Sequence, residues 1–229
     1  MKYDIIGSNM QHLKITLEEG EKIYADSGTL VSKDVNVVMT PRMAGGVVSA
    51  LERKATGTTA LLTEFEAKNG QGEVAVAGVF PGKVFQITLG EGESFVVEQH
   101  SFLAADTTVK YSIRMMNISA AVFGGVGFYL QELVGPGNIF LHIVGDVIIH
   151  NINDQHQTEV EPGHVAAFDP TVKYEVRFVD NARTAMFGGV GLFLATFKGQ
   201  GRLITHSVSR FKLSSEIYAD RPKQDNKQQ

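Results

Sequence analysis

The sequence predicts an all-β fold in which three internal repeats share one core, as a pseudo-threefold barrel, prism or wrapped sandwich, with residues 1–213 forming a single domain. Two observations predict it. Apolar residues recur at every second position, as in Leu13, Ile15 and Leu17, in Phe85, Ile87 and Leu89, and in Tyr174, Val176 and Phe178. That is the period at which side chains alternate across a strand. The same runs also return along the chain. Leu13-Lys14-Ile15-Thr16-Leu17-Glu18-Glu19-Gly20-Glu21 reappears as Phe85-Gln86-Ile87-Thr88-Leu89-Gly90-Glu91-Gly92-Glu93, and the segment from Phe102 to Tyr111 returns as Val165 to Tyr174. Self-similarity of this kind marks one structural unit used repeatedly.

The first unit, residues 1–80, opens with Lys2-Tyr3-Asp4-Ile5-Ile6, which reads as a strand rather than as a signal peptide because it carries an early acid and no apolar core segment. It contains the pair Gly45-Gly46 and an insertion, Val47 to Thr56, with the composition of a helical turn or two. Gly70-Gln71-Gly72 lies between apolar runs, where a reversing chain needs glycine. In the second unit, residues 81–144, the corresponding features are Phe123-Gly124-Gly125-Val126-Gly127 and Gly135-Pro136-Gly137. The third, residues 145–213, starts more weakly, with Ile148, His150 and Ile152 in the places of Phe85, Ile87 and Leu89. It then repeats the pattern with Phe187-Gly188-Gly189-Val190-Gly191 and Gly199-Gln200-Gly201. Asp34, Asp106 and Asp169 occupy matched places and read as side-chain turn caps. From Ser214 the chain turns polar and aperiodic, so residues 214–229 are expected to be a disordered tail.

A unit of about five short strands cannot bury a face alone, so the units must share a core. Strand edges left over are best closed by symmetric self-association, which predicts a homo-oligomer, a trimer or ring. With 21 basic against 25 acidic residues and a net charge of −4, no nucleic-acid partner is expected. The absence of cysteine excludes disulfides, thiolate metal sites and cysteine nucleophiles. The most apolar stretch, 118–130, has 13 residues, short of the roughly 20 that cross a bilayer, so the expectation is a cytoplasmic protein, at most peripheral to a membrane.

The run from Gly20 to Leu30, the glycine pairs and the closing Gly-x-Gly turns together resemble the family of the mitochondrial inheritance protein "altered inheritance of mitochondria twenty-four", over residues 3–212. The resemblance implies an all-β fold similar to that of the tryptophan RNA-binding attenuator protein, assembled into trimers or rings, and links to inner-membrane organisation. It implies no active-site residues.

Seven histidines raise the question of a metal, and His142 and His206, equivalent in units two and three, are the candidates. The spacing lacks the His-x-His and following glutamate of a cupin-like centre, so no metal or other cofactor is expected. Phe123, Gly124 and Gly125 and, in the third unit, Phe187, Gly188 and Gly189 lead into apolar strand residues and not into Gly-Lys-Ser/Thr. They read as contacts with another subunit or a membrane, not as a phosphate loop. Glu18, Glu19 and Glu21, and Glu91, Glu93 and Glu98, read as solvated turn carboxylates. Lys110 with Arg114 and Lys173 with Arg177 read as matched basic pairs on wet strand faces. With no catalytic residue in view, the reading is a non-enzymatic oligomeric β scaffold or binding module of unknown ligand, with a membrane or membrane protein as the candidate partner. The alternatives are a cupin-like metal-dependent enzyme or small-ligand binder, and an RNA-binding ring.

Overall fold

The period-two runs become strands in a computed structural model that describes residues 1–43, 61–114, 130–178 and 193–219. The first third of the chain gives β1 (Lys2–Ile6), β2 (His12–Leu17), β3 (Lys22–Asp26), β4 (Leu30–Lys33), β5 (Val37–Met43), β6 (Leu61–Ala67) and β7 (Gly72–Ala77). The second gives β8 (Gly82–Leu89), β9 (Ser94–Glu98), β10 (Phe102–Asp106), β11 (Lys110–Arg114), β12 (Leu130–Val134) and β13 (Gly137–Val144). The last gives β14 (Val147–Ile152), β15 (Thr158–Val160), β16 (Val165–Phe168), β17 (Val172–Phe178), β18 (Phe193–Gly199) and β19 (Gly201–His206), followed by helix α1 (Arg210–Ala219). Each third thus holds at least six strands where the sequence suggested five.

Pairing is antiparallel and follows one scheme. β8 pairs with β13, β13 with β10, β9 with β12 and β12 with β11. In the last third β14 pairs with β19, β19 with β16, β15 with β18 and β18 with β17. In the first, β2 pairs with β7, β7 with β4, β3 with β6 and β6 with β5, while β1 adds to β2. The register slips at one matched place in each third, between Leu30 and Ser32, Phe102 and Ala104, and Val165 and Ala167. Strands of different thirds join twice, β3 to β10 and β9 to β16.

Among the described residues the result is four sheets, in the orders β1-β2-β7-β4, β5-β6-β3-β10-β13-β8, β11-β12-β9-β16-β19-β14 and β15-β18-β17. None of these closes on itself, so they form no barrel, contrary to one of the expected arrangements. The sheets instead bury their faces in three clusters. Leu13, Ile15 and Leu17 pack with Phe65, Leu103 and Phe140; Tyr24, Phe95 and Ile139 pack with Leu141 and Ile204; Leu130 and Phe168 pack with Phe197 and Leu203. Every cluster draws on two thirds of the chain or more, and each fully buried Leu, Ile or Phe contributes about 1.5–3 kcal/mol.

Two local devices fix the corners. The Asp34 carboxylate accepts the Glu73 N–H at 2.9 Å, Asp106 accepts that of Asn138 at 2.7 Å, and Asp169 that of Arg202 at 2.6 Å. These aspartates therefore do more than cap a turn, because each ties its turn to the strand running past it. Gly137 and Gly201 sit at φ +140° and +148°, and a Cβ at either would come within 2.8–3.0 Å of Val109 or Val172. Glycine is needed there both for the backbone angle and for the close approach.

Two expectations need correction or bounding. Residues Arg210–Ala219 are helical, so the polar tail does not begin at Ser214. The helix is held by tertiary contacts that its composition hides: Lys212 pairs with Glu161 at 2.7 Å and Arg210 approaches Glu98 at 3.8 Å. The insertion Val47 to Thr56 and the pair Gly45-Gly46 lie outside the described residues. Among the described residues no helix is long and apolar enough to cross a membrane.

Candidate functional site

His142 and His206 occupy matched positions on β13 and β19, opposite Val84 and Val147, and both are buried. His142 Nε2 donates to the Phe80 carbonyl at 2.9 Å, and its ring lies flat on Gly78, where a Cβ would come within 2.1 Å of it. Both nitrogens of His206 are engaged: Nδ1 accepts the Val144 N–H at 3.0 Å, and Nε2 meets Ser101 Oγ at 3.1 Å. A ring in that position has no lone pair left for a cation. Among the described residues no three His, Asp or Glu side chains are grouped to hold a metal. His164 is drawn in as well, its Nδ1 donating to the His206 carbonyl at 2.8 Å.

The structure adds residues that the sequence reading did not bring together. Glu98 ends β9 and is buried, which corrects its placement among solvated turn carboxylates. It accepts the His100 N–H at 2.9 Å and the Ser101 hydroxyl at 3.4 Å, and so caps the 3-10 turn Gln99–Ser101. The signal was present in the sequence as a lone carboxylate closing the apolar run Phe95-Val96-Val97. Asp26, His100 and Arg210 stand nearby, and with Thr29, Phe80 and His142 they line a cavity of about 90 Å³. That is room for about three water molecules.

Burial governs the electrostatics. Desolvation raises the Glu98 carboxyl to about 7, against the opposing pull of Arg210, and raises Asp26 to about 6. The same cause drives His206 down to about 3 and His100 to about 4, with Arg210 adding to both. His142 is lowered by desolvation too. The cluster therefore holds neutral imidazoles beside two acids that ionise near neutrality.

Ser101, His206 and Glu98 have the composition of a nucleophile–base–acid set, but the polarity is reversed. Because Nδ1 accepts a backbone N–H, the neutral ring carries its proton on Nε2 and donates it to Ser101. A general base must accept from the nucleophile at that nitrogen. The hydroxyl passes its own proton on to Glu98, and Ser101 is fully buried. The network orders the core where the three thirds of the chain meet.

The remaining candidates divide. Glu21 and Glu93 are turn carboxylates, accepting the N–H of Glu18 at 2.9 Å and of Gly90 at 2.8 Å. Arg177 forms a two-pronged pair with Glu159 at 3.0 and 3.1 Å, which matches the reading of a basic residue balanced by an acid on a wet face. Phe123, Gly124, Gly125, Phe187, Gly188 and Gly189 lie outside the described residues; their segments join β11 to β12 and β17 to β18.

Comparison with known proteins covers nearly the whole chain. A family model described as mitochondrial biogenesis AIM24 matches residues 3–208. An uncharacterized protein of Streptococcus pyogenes serotype M6 is 24% identical over 204 residues, which is 86% of this chain and 81% of that one. A crystal structure of a Streptococcus pyogenes protein superposes with a TM-score of 0.76 at 21% identity, over 95% of this chain and 98% of the other. At that identity the likeness speaks to the fold.

Proposed function

We propose, from the premise that this chain belongs to the mitochondrial biogenesis AIM24 family, that it is a non-enzymatic, homo-oligomeric β scaffold that binds partners at its glycine-rich connections. The observation that carries the reading is the threefold recurrence of one pairing scheme, with its register slip and its aspartate tie in the same place each time. We read it as three internal repeats arranged on the plan of the tryptophan RNA-binding attenuator protein. A catalytic residue is needed once, whereas a platform gains from presenting the same feature in every unit. The feature is the connection from β5 to β6, from β11 to β12 and from β17 to β18, which carries Gly45-Gly46, Phe123-Gly124-Gly125 and Phe187-Gly188-Gly189 in turn.

Working inside the cell, the scaffold would meet a membrane surface through these apolar segments. Flotation with liposomes tests this directly: wild type is expected in the lipid fraction, and the Phe123→Glu/Phe187→Glu variant in the soluble fraction. Wild type remaining with the soluble fraction would redirect the proposal to a protein partner. Native mass spectrometry tests the oligomer, and a monomer at micromolar concentration would refute it.

A further inference from the structure

Numbered without the added strand β1, the two joints between thirds of the chain follow one rule: the second strand of a unit pairs with the third strand of the next. β3 joins β10 with Ala105 opposite Tyr24, and β9 joins β16 with Phe168 opposite Val96. The rule leaves one strand of each kind over. Among the described residues β4, the third strand of the first unit, pairs with β7 alone, and β15, the second strand of the last unit, pairs with β18 alone.

Burial shows that β4 is built as a joint strand but lacks its cover. Leu30 is 37% and Val31 61% exposed, whereas their counterparts Phe102 and Leu103 are 2% and 0% exposed, and Val165 and Ala166 are 3% and 0%. An unpaired, apolar strand edge is a template for another strand.

Carrying over the register of the internal joints gives the open edges a specific match. Lys33 precedes Asp34 as Ala105 precedes Asp106 and Phe168 precedes Asp169. Glu159 faces Thr196 as Tyr24 faces Glu64 and Val96 faces Glu132. Lys33 therefore stands opposite Glu159, an attractive cross-strand pair where the internal joints have only apolar ones. Lys33 is half-buried and donates to the Asp34 carbonyl at 3.3 Å, while the exposed Glu159 carboxylate accepts from Arg177 at 3.0 and 3.1 Å and from Thr196 at 3.1 Å, so Lys33 of the other copy would join that pair rather than replace it.

We infer that β4 of one copy pairs with β15 of a second copy, Lys33 against Glu159. The inference rests on the oligomer proposed above and names its contact. The joined sheet runs β17-β18-β15 and then β4-β7-β2, the order of the two complete sheets, with β1 added at the end. The contact uses different surfaces on the two copies, so the assembly is head-to-tail and closes as a ring or extends as a filament.

A chain with no cysteine makes the test clean. The Lys33→Cys/Glu159→Cys variant, and the adjacent Ser32→Cys/Val160→Cys variant in case the first pair is poorly oriented, are oxidised mildly and run on a non-reducing gel. The expected result is a ladder of dimers, trimers and higher species that collapses on reduction, with neither single-cysteine variant going beyond a dimer. A fast-migrating, internally cross-linked monomer would overturn the inference by showing that the edges close within one chain. No cross-link in either variant, with wild type oligomeric by native mass spectrometry, would overturn this contact and leave the scaffold reading standing. A monomeric wild type would overturn both.

Discussion

Glu98 shows how far one buried group sets the pH response. Its carboxyl moves from 4.5 to about 7, so the folded protein holds the proton more tightly than the unfolded chain does. Stability from this group is therefore lost as pH rises from about 4.5 to about 7, at a total cost on the order of 3 kcal/mol. Asp26 acts with the same sign, while His206 and His100, depressed by burial, take stability away as pH falls below about 6.5. Thermal melts at about pH 5 and pH 8 should accordingly show Glu98→Gln gaining on wild type at the higher pH. An unchanged difference between the two proteins at both pH values would contradict the assigned burial. Arg210→Ala should raise the Glu98 carboxyl further, which carbon-13 titration of the labelled side chain reads. The aspartate ties behave differently. Asp169→Ala leaves the Arg202 N–H without its acceptor and should cost about 1–3 kcal/mol by urea denaturation.

For the elements, the strands and their corners were legible because each is encoded more than once. Asp34, Asp106 and Asp169, like the Gly-x-Gly turns, stood out by repetition, and repetition is visible without coordinates. Features that occur once were not. Helix α1 has a polar composition and is held by pairs with Glu161 and Glu98, which lie far away in sequence. The burial of Glu98 depends on the 3-10 turn folding over it, and the weak start of the third unit hid the shortened β15. The corners carry a prediction of their own. Gly201→Ala places a Cβ within 2.8 Å of the Asp169 side chain at a φ of +148°, and should cost at least as much as losing the tie itself. Phe140→Ala, within the first core cluster, should cost about 3–5 kcal/mol by the same assay.

On the scale of the whole molecule, the three clusters run in series through the sheets, and no third of the chain owns one outright. Removing a unit would therefore strip apolar surface from its neighbour, and truncation after Val144 should yield insoluble protein. If the open edges are met by another copy, the melting temperature of wild type should rise with protein concentration and that of a β4 variant such as Val31→Lys should not. Because β3 meets β10, Ala25 is paired with Thr63 of β6 on one side but lacks its neighbour on the other until Ala104 has been made. At roughly 5–20 residues per second, the leading strand leaves the ribosome seconds before its mate exists. During that interval Ile23, Tyr24 and Ala25, all sealed in the finished protein, face solvent on one side. The nascent chain is consequently expected to engage chaperones during synthesis, and slow translation to prolong its exposure.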